Sequence, residues 1–155
     1  MTGRINIRMK INYYNNLGVG IISLGFVLNE AKSLPLSKLF LILPFVTHSE
    51  LSTYLARPST KIQSIEKLIV DKTDCFSNFN KRYYDTLTLT VEASEYLYDL
   101  DYIKIQNGSV TLLKDFEYDK NMGKRAEKIH KTSINIANIL KDRADNLYLN
   151  LRIEL

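Results

Sequence analysis

The segment from residue 87 to residue 113, LTLTVEASEYLYDLDYIKIQNGSVTLL, decides the predicted fold class. Two short runs rich in β-branched and apolar residues, 102–105 and 110–113, flank the tetrapeptide at 106–109. Its central pair, Asn107 and Gly108, supplies the positive φ angles that a type I′ turn requires. The sequence therefore predicts a β-hairpin.

The residues before this hairpin predict a helix. Residues 86–91 alternate Thr with apolar side chains, which on its own favours a strand. Because Ala93, Leu97 and Leu100 follow at helical spacing, we predict a helix from about residue 87 to residue 100. A helix followed directly by a short two-stranded ribbon is the outline of a winged helix. The predicted fold class is mainly α (α+β), a multi-helix domain with a winged-helix-like helix plus β-hairpin unit.

The other predicted elements are mostly helices. One apolar helix begins after Asn15 or Asn16. A second helix, apolar on nearly all sides, covers residues 35–43 before Pro44 ends or kinks it. Further helices are predicted to begin at Ser49, at Ser59 or Thr60, at Thr73 or Asp74, and at Lys124. The tail at 147–153 alternates apolar and polar residues, so it is either a short edge strand or an irregular turn.

Composition limits the class of protein. The chain has 155 residues, 45% hydrophobic and 25% charged, which suits one globular domain. We predict a single domain over residues 12–155, with the basic segment 1–11 as either a flexible arm or an ordinary terminus. A net charge of +4 permits an acidic partner without requiring one. The single cysteine and the short, interrupted apolar stretches predict a cytoplasmic protein without a membrane span.

The residue types of catalysis and metal binding do not form a site. His48, His130 and Cys75 are too scattered to provide the four ligands of a zinc site. Gly18 and Gly20 lack the strand that precedes a phosphate-binding loop, so we expect them to let another helix approach closely. Two carboxylate pairs are better explained as a solvated helix face than as an acid and a base: Glu92 with Glu95, and Asp99 with Asp101. We therefore predict no catalytic residue, no metal and no cofactor.

Two predicted helices differ in charge, which bears on nucleic-acid binding. The later one carries a basic cluster that is either a solvated face or a contact for phosphates or acidic surfaces: Lys124, Arg125, Lys128 and Lys131. In a winged helix, the helix before the hairpin usually enters the major groove and carries basic or amide side chains. Residues 83–101 instead contain five acids and no Lys or Arg. This pattern favours protein binding by that helix, with any weak DNA contact made by the basic cluster.

Aromatic side chains near the hairpin and in the tail are candidates for partner binding. A Tyr ring is apolar and its hydroxyl tolerates water, which suits an interface anchor. The candidates are Tyr96, Tyr98, Tyr102, Tyr148 and Arg152. For each ring, completing the domain core remains the alternative.

Residues 34–48, LPLSKLFLILPFVTH, carry a resemblance to a known family. The chain resembles the middle component of bacterial three-component ABC systems over about residues 12–153. Before the quoted segment lies an Asn-initiated apolar helix, and after it come a Ser/Thr-capped helix, the late helix, the hairpin and the terminal basic helix, all in the family's order. The family's ending resembles Leu-Gly-Val-Arg-Pro, whereas this chain reads LNLRI at 149–153, which keeps Arg152 but neither the Gly nor the Pro.

The resemblance implies a non-enzymatic adaptor. Such components are encoded between a variable third protein and an ABC ATPase related to chromosome-maintenance and DNA-repair ATPases. The resemblance thus implies that this chain links the ATPase to a third, effector component in defence against phage or other mobile DNA, while homo-oligomer formation remains open. The alternative is a stand-alone winged-helix DNA-binding regulator, and gene neighbourhood would separate the two.

Overall fold

A computed structural model describes the backbone of residues 2–155 and the side chains of residues 16–155. The chain is mainly α with one small antiparallel sheet, which confirms the predicted mainly α (α+β) class. The helices are α1 (Thr2–Ala31), α2 (Leu36–Leu39), α3 (Ile42–Val46), α4 (Ser49–Ala56), α5 (Ile65–Asp71), α6 (Thr73–Phe76), α7 (Phe79–Asp99), α8 (Lys124–Ile139) and α9 (Ala144–Asn150). The strands are β1 (Ser33–Pro35), β2 (Ile103–Gln106) and β3 (Ser109–Leu112), and a 3-10 turn covers Lys120–Met122. The basic segment predicted at 1–11 lies outside the residues whose side chains are described.

The predicted hairpin is confirmed, and a third strand joins it. Asn107 has a φ of 53° and Gly108 a φ of 73°, the pair of positive values that a type I′ turn needs. Strand β1 pairs antiparallel with β3, so the sheet order is β1-β3-β2. Strand β1 was not predicted because it is three residues long and ends in Pro35, a residue that sheets tolerate mainly at an edge.

Helix α7 confirms the helical interpretation of residues 86–91 but begins eight residues earlier than predicted. Thr86 and Thr90 lie on its buried side, and each hydroxyl donates to the carbonyl four residues before it. Those bonds satisfy the polar groups and let the alternating run remain helical. The helix ends in a Schellman motif at Asp101, whose φ is 61°, and β2 follows directly.

The apolar segment predicted as one helix at 35–43 is broken into α2 and α3. The break at residues 40–41 has a simple cause, since Pro44 has no N–H to donate to the carbonyl of Phe40. Pro44 instead occupies the first turn of α3, where that N–H would be unpaired anyway. Pro44 therefore interrupts the apolar segment as a kink, which is one of the two predicted outcomes, and the predicted burial of four leucines is confirmed: Leu24, Leu28, Leu39 and Leu43.

Close packing around α1 depends on two glycines. A Cβ at Gly20 would lie 3.2 Å from Ala93 Cβ and 3.3 Å from Leu89 Cγ, so α7 approaches α1 closely there, as predicted. The same prediction is wrong for Gly18, where a Cβ would meet no atom within 4 Å. A Cβ at Gly25 would lie 2.6 Å from the ring of Phe116, closer than side chains tolerate. The ring therefore fills the space that Gly25 leaves open.

The tail is a helix, α9, and neither the predicted edge strand nor an irregular turn. Leu147 and Leu151 are buried four residues apart, which is the helical repeat and not the alternation of a strand. A Schellman motif ends α9, because Arg152 N–H donates to Leu149 and Ile153 N–H donates to Tyr148. The cap of α5 also differs from the prediction, since Ser64 performs that role in place of Ser59 or Thr60.

Within the described residues, no single helix has the length and apolar composition to cross a membrane. Residues 36–46 and 49–56 meet that test only when combined, and the two parts are bent by 100°.

Candidate partner-binding surfaces

The exposed side of α7 carries two of the five predicted partner-binding residues. Tyr96 and Tyr98 expose 48% and 54% of their surface. Leu100 is exposed to the same degree as Tyr98, and the acids Glu95 and Asp99 lie beside them in the chain. The end of α7 therefore presents aromatic and apolar groups among carboxylates.

Two further exposed residues on α7, Tyr84 and Val91, were not among the predicted candidates. The Tyr84 hydroxyl donates to the carbonyl of Glu154, yet 45% of the residue stays exposed. The signal for both was the spacing of 84, 91 and 98, which repeats every seven residues along a helix. With a helix start near residue 87, Tyr84 fell outside the helix and the repeat was not visible.

Tyr102 is half-buried and belongs mainly to the packing under the hairpin. Its ring meets that of Phe116 edge-on with 5.3 Å between ring centroids. The ammonium of Lys114 lies 4.3 Å from the Tyr102 centroid, a cation–π distance. These contacts favour the alternative that Tyr102 completes the core.

Tyr148 holds the tail against the body of the protein. Its hydroxyl donates to the carbonyl of Ser37 at 2.6 Å and lies 3.2 Å from the hydroxyl of Tyr83. Because the single hydroxyl proton of Tyr148 is directed to Ser37, Tyr83 is the donor between the two rings. Burial raises the pKa of Tyr148 well above its ordinary value. Tyr148 thus serves to dock α9.

Arg152 is exposed and has a strained backbone. Its φ of 56° lies in the left-handed region, which favours glycine. It borders a groove between α6 and the tail together with Phe76, Asn80 and Glu154. Of the five predicted partner-binding residues, Arg152 is the one with a positive φ.

The basic cluster on α8 is partly neutralised within the chain. Lys131 forms an ion pair with Glu127 at 3.1 Å, and Lys128 donates to the carbonyl of Ser49 at 3.3 Å. Lys124 and Arg125 are exposed at the start of the helix, and the described residues hold no ion-pair partner for either. Of these four cations, Lys124 and Arg125 are therefore the two whose charge is not offset by a contact among the described residues.

The residues weighed for chemistry are used in packing and capping. His48 caps α4, because its Nδ1 accepts the amide hydrogen of Leu51 at 3.1 Å. Cys75 is buried, and burial, followed by the charge of Glu50, raises the pKa of its thiol. The described residues contain no group of three or more His, Cys, Asp or Glu that could hold a metal ion.

Comparison with known proteins identifies the family. The family described as ABC-three component (ABC-3C) system Middle Component 3 matches residues 22–155. That range includes every helix and strand from β1 onward and the last ten residues of α1. No curated protein and no solved structure matches the chain. Because the match spans far more than half of the sequence, the chain belongs to the ABC-three component system Middle Component 3 family.

Proposed function

We propose that this protein is a non-enzymatic adaptor in a bacterial defence system against phage or other mobile DNA. It links an ABC ATPase, related to chromosome-maintenance and DNA-repair ATPases, to a third, effector component. The observation that carries this proposal is the family match over residues 22–155, because a middle component acts together with other components.

The side chains support a binding role over a catalytic one. A raised pKa keeps the Cys75 thiol protonated, so it is a poor nucleophile at neutral pH. The unprotonated nitrogen of His48 is used by the α4 cap. The Arg82 guanidinium donates to the carbonyls of Pro44 and Cys75, at 3.1 and 2.8 Å. Each of these groups takes part in the burial or hydrogen bonding that stabilises the domain, which leaves none of them for a catalytic role.

The proposal includes a winged-helix class for the C-terminal half of the fold. Helix α7 precedes the hairpin directly, and β1 adds to the hairpin strand β3, which supports that class. A stand-alone DNA-binding regulator of this class would place α7 in the major groove. The five acids and no bases between residues 83 and 101 oppose such docking. Lys124 and Arg125 remain available for weak, salt-sensitive contact with phosphates.

Co-purification tests the adaptor role. The protein carries an affinity tag and is expressed together with the two flanking genes in the cytoplasm of a bacterial host. We expect the ATPase and the third component to elute with the tagged protein, and to separate from each other when it is omitted. Failure of either to co-elute, or a stable pair formed without this protein, would contradict the proposal.

DNA binding is measured on the same preparation. A fluorescent duplex should bind weakly and be released as salt is raised, and Lys124→Ala with Arg125→Ala should remove the binding. Tight binding that persists at high salt and depends on α7 would favour the regulator instead.

A further inference from the structure

The exposed face of α7 forms one continuous stripe. Its members are spaced by three or four residues, which places them in line along a helix: Tyr84, Thr88, Val91, Glu95 and Tyr98. The positions between them include the buried contacts of α7 with the core, such as Thr90, Ala93 and Leu97. At 1.5 Å per residue, this α7 stripe is about 21 Å long.

The α7 stripe is apolar in the middle and at both ends. Tyr84, Val91 and Tyr98 expose 45%, 43% and 54% of their surface. Exposed apolar groups are ordinary when scattered, but these three repeat every seven residues on one line. A seven-residue repeat is the pattern with which a helix packs against another helix.

The charge around the α7 stripe is acidic and largely unpaired. Between residues 83 and 101 lie Asp85, Glu92, Glu95, Asp99 and Asp101, with no Lys or Arg. Within the described part of the chain, only Asp85 of these five forms an ion pair, at 2.7 Å from Lys81. This acidity is local, because the whole chain has a net charge of +4.

We propose that the α7 stripe binds an amphipathic helix of another component, with apolar residues in a three- and four-residue repeat and Lys or Arg along the edge that faces Asp85, Glu92 and Asp99. The inference rests on the proposed adaptor function and adds the chemistry of the partner. A helix fits better than a strand, because the side of α7 offers no free backbone N–H or C=O for strand pairing. Basic residues are required because the carboxylates beside the apolar positions repel acids and attract Lys and Arg.

Photo-crosslinking within the purified three-component complex tests the partner's identity. A photoreactive amino acid replaces Val91, and Val70 provides a matched control because it is an exposed valine on another helix, α5. We expect the residue at position 91 to crosslink to a helical segment of another component in which Lys and Arg outnumber Asp and Glu. Position 70 should not crosslink to that segment.

Charge reversal measures how much the acids beside the α7 stripe contribute to binding of the partner. Glu95→Lys with Asp99→Lys should weaken the complex by roughly tenfold or more, because it opposes like charges across the interface. Glu30→Lys with Glu117→Lys makes the same change in net charge at exposed positions elsewhere and should leave binding unchanged. Equal melting temperatures for the two double variants ensure that lost binding is not lost folding.

The outcomes separate this inference from the proposed function. If the wild-type protein forms no complex, both fail. If the complex forms but Val91 gives no crosslink, or gives one to an acidic segment or to a second copy of this chain, the inference fails alone. Equal binding by Glu95→Lys with Asp99→Lys and by the wild type would likewise overturn it while leaving the adaptor role intact.

Discussion

Replacement of Arg152 by glycine is expected to stabilise the protein. Arg152 has a φ of 56°, a conformation that a residue with a Cβ adopts at a cost of about 1–2 kcal/mol. Glycine adopts this conformation without that strain. However, its greater conformational freedom in the unfolded chain lowers the stability of the folded protein by roughly 0.5–1 kcal/mol. The Arg152 guanidinium forms no ion pair with the described residues, so the substitution removes no such interaction.

The net expectation for Arg152→Gly is a gain of about 0.5–1 kcal/mol, which raises the melting temperature by roughly 1–4 °C for a chain of this size. Arg152→Ala is the control, because it removes the same charge and keeps the Cβ that causes the strain. Thermal unfolding followed by far-UV circular dichroism compares the three proteins. If Arg152→Gly melts no higher than Arg152→Ala, the left-handed conformation does not limit stability and the reasoning is refuted.

Three further changes test the packing and the caps. Gly25→Ala should destabilise the protein by about 1–3 kcal/mol in urea unfolding, because the added methyl meets the Phe116 ring, whereas Gly18→Ala, with no atom within 4 Å, should not destabilise it. Leu39→Ala should lower the free energy of unfolding by about 2–5 kcal/mol, since this leucine is 1% exposed in the core, and an unchanged unfolding midpoint would contradict its placement. Burial lowers the pKa of His48 from 6.5, so its contribution is present above pH 6.5 and is lost as the pH falls through that value toward the lower pKa of the folded state. His48→Asn keeps a capping side chain that does not titrate, and it should flatten that part of a plot of melting temperature against pH.

Local sequence chemistry predicted the elements that are determined locally. The Asn107-Gly108 pair fixes its own turn, and Ser49 lies at the start of α4 as expected. Strand β1 could not be predicted in this way, because its three residues become a strand only by pairing with β3, about 75 residues later. The helix in the tail was not predicted for a similar reason, because an alternating run does not reveal that Leu147 and Leu151 share one buried side.

The candidate partner-binding residues show the same difference between features set by local sequence and features set by tertiary packing. The acidity of residues 83–101, which follow Lys81 and Arg82 of α7, is a property of composition and is visible in the sequence alone. Whether a given tyrosine faces solvent depends on distant contacts, so Tyr148 could not be assigned to docking before its bond to Ser37, 111 residues away, was known. Tyr98 and Tyr148 are the same residue type in helices, and only tertiary packing makes one exposed and the other a tether.

Chain reversals at both ends of α7 determine how much of the α7 stripe is open to a partner. At the C-terminal end, the left-handed Asp101 turns the chain into β2, so the hairpin lies just beyond Tyr98. At the N-terminal end, the turn at Arg152 brings Glu154 to α7, where its N–H donates to Asn80 Oδ1 at 3.0 Å. The open length is therefore the 21 Å or so between the tail and the hairpin, which matches a partner helix of about 14 residues. If a partner helix binds the α7 stripe as proposed, a longer helix would also touch the tail or the hairpin, and at the tail it would meet Arg152.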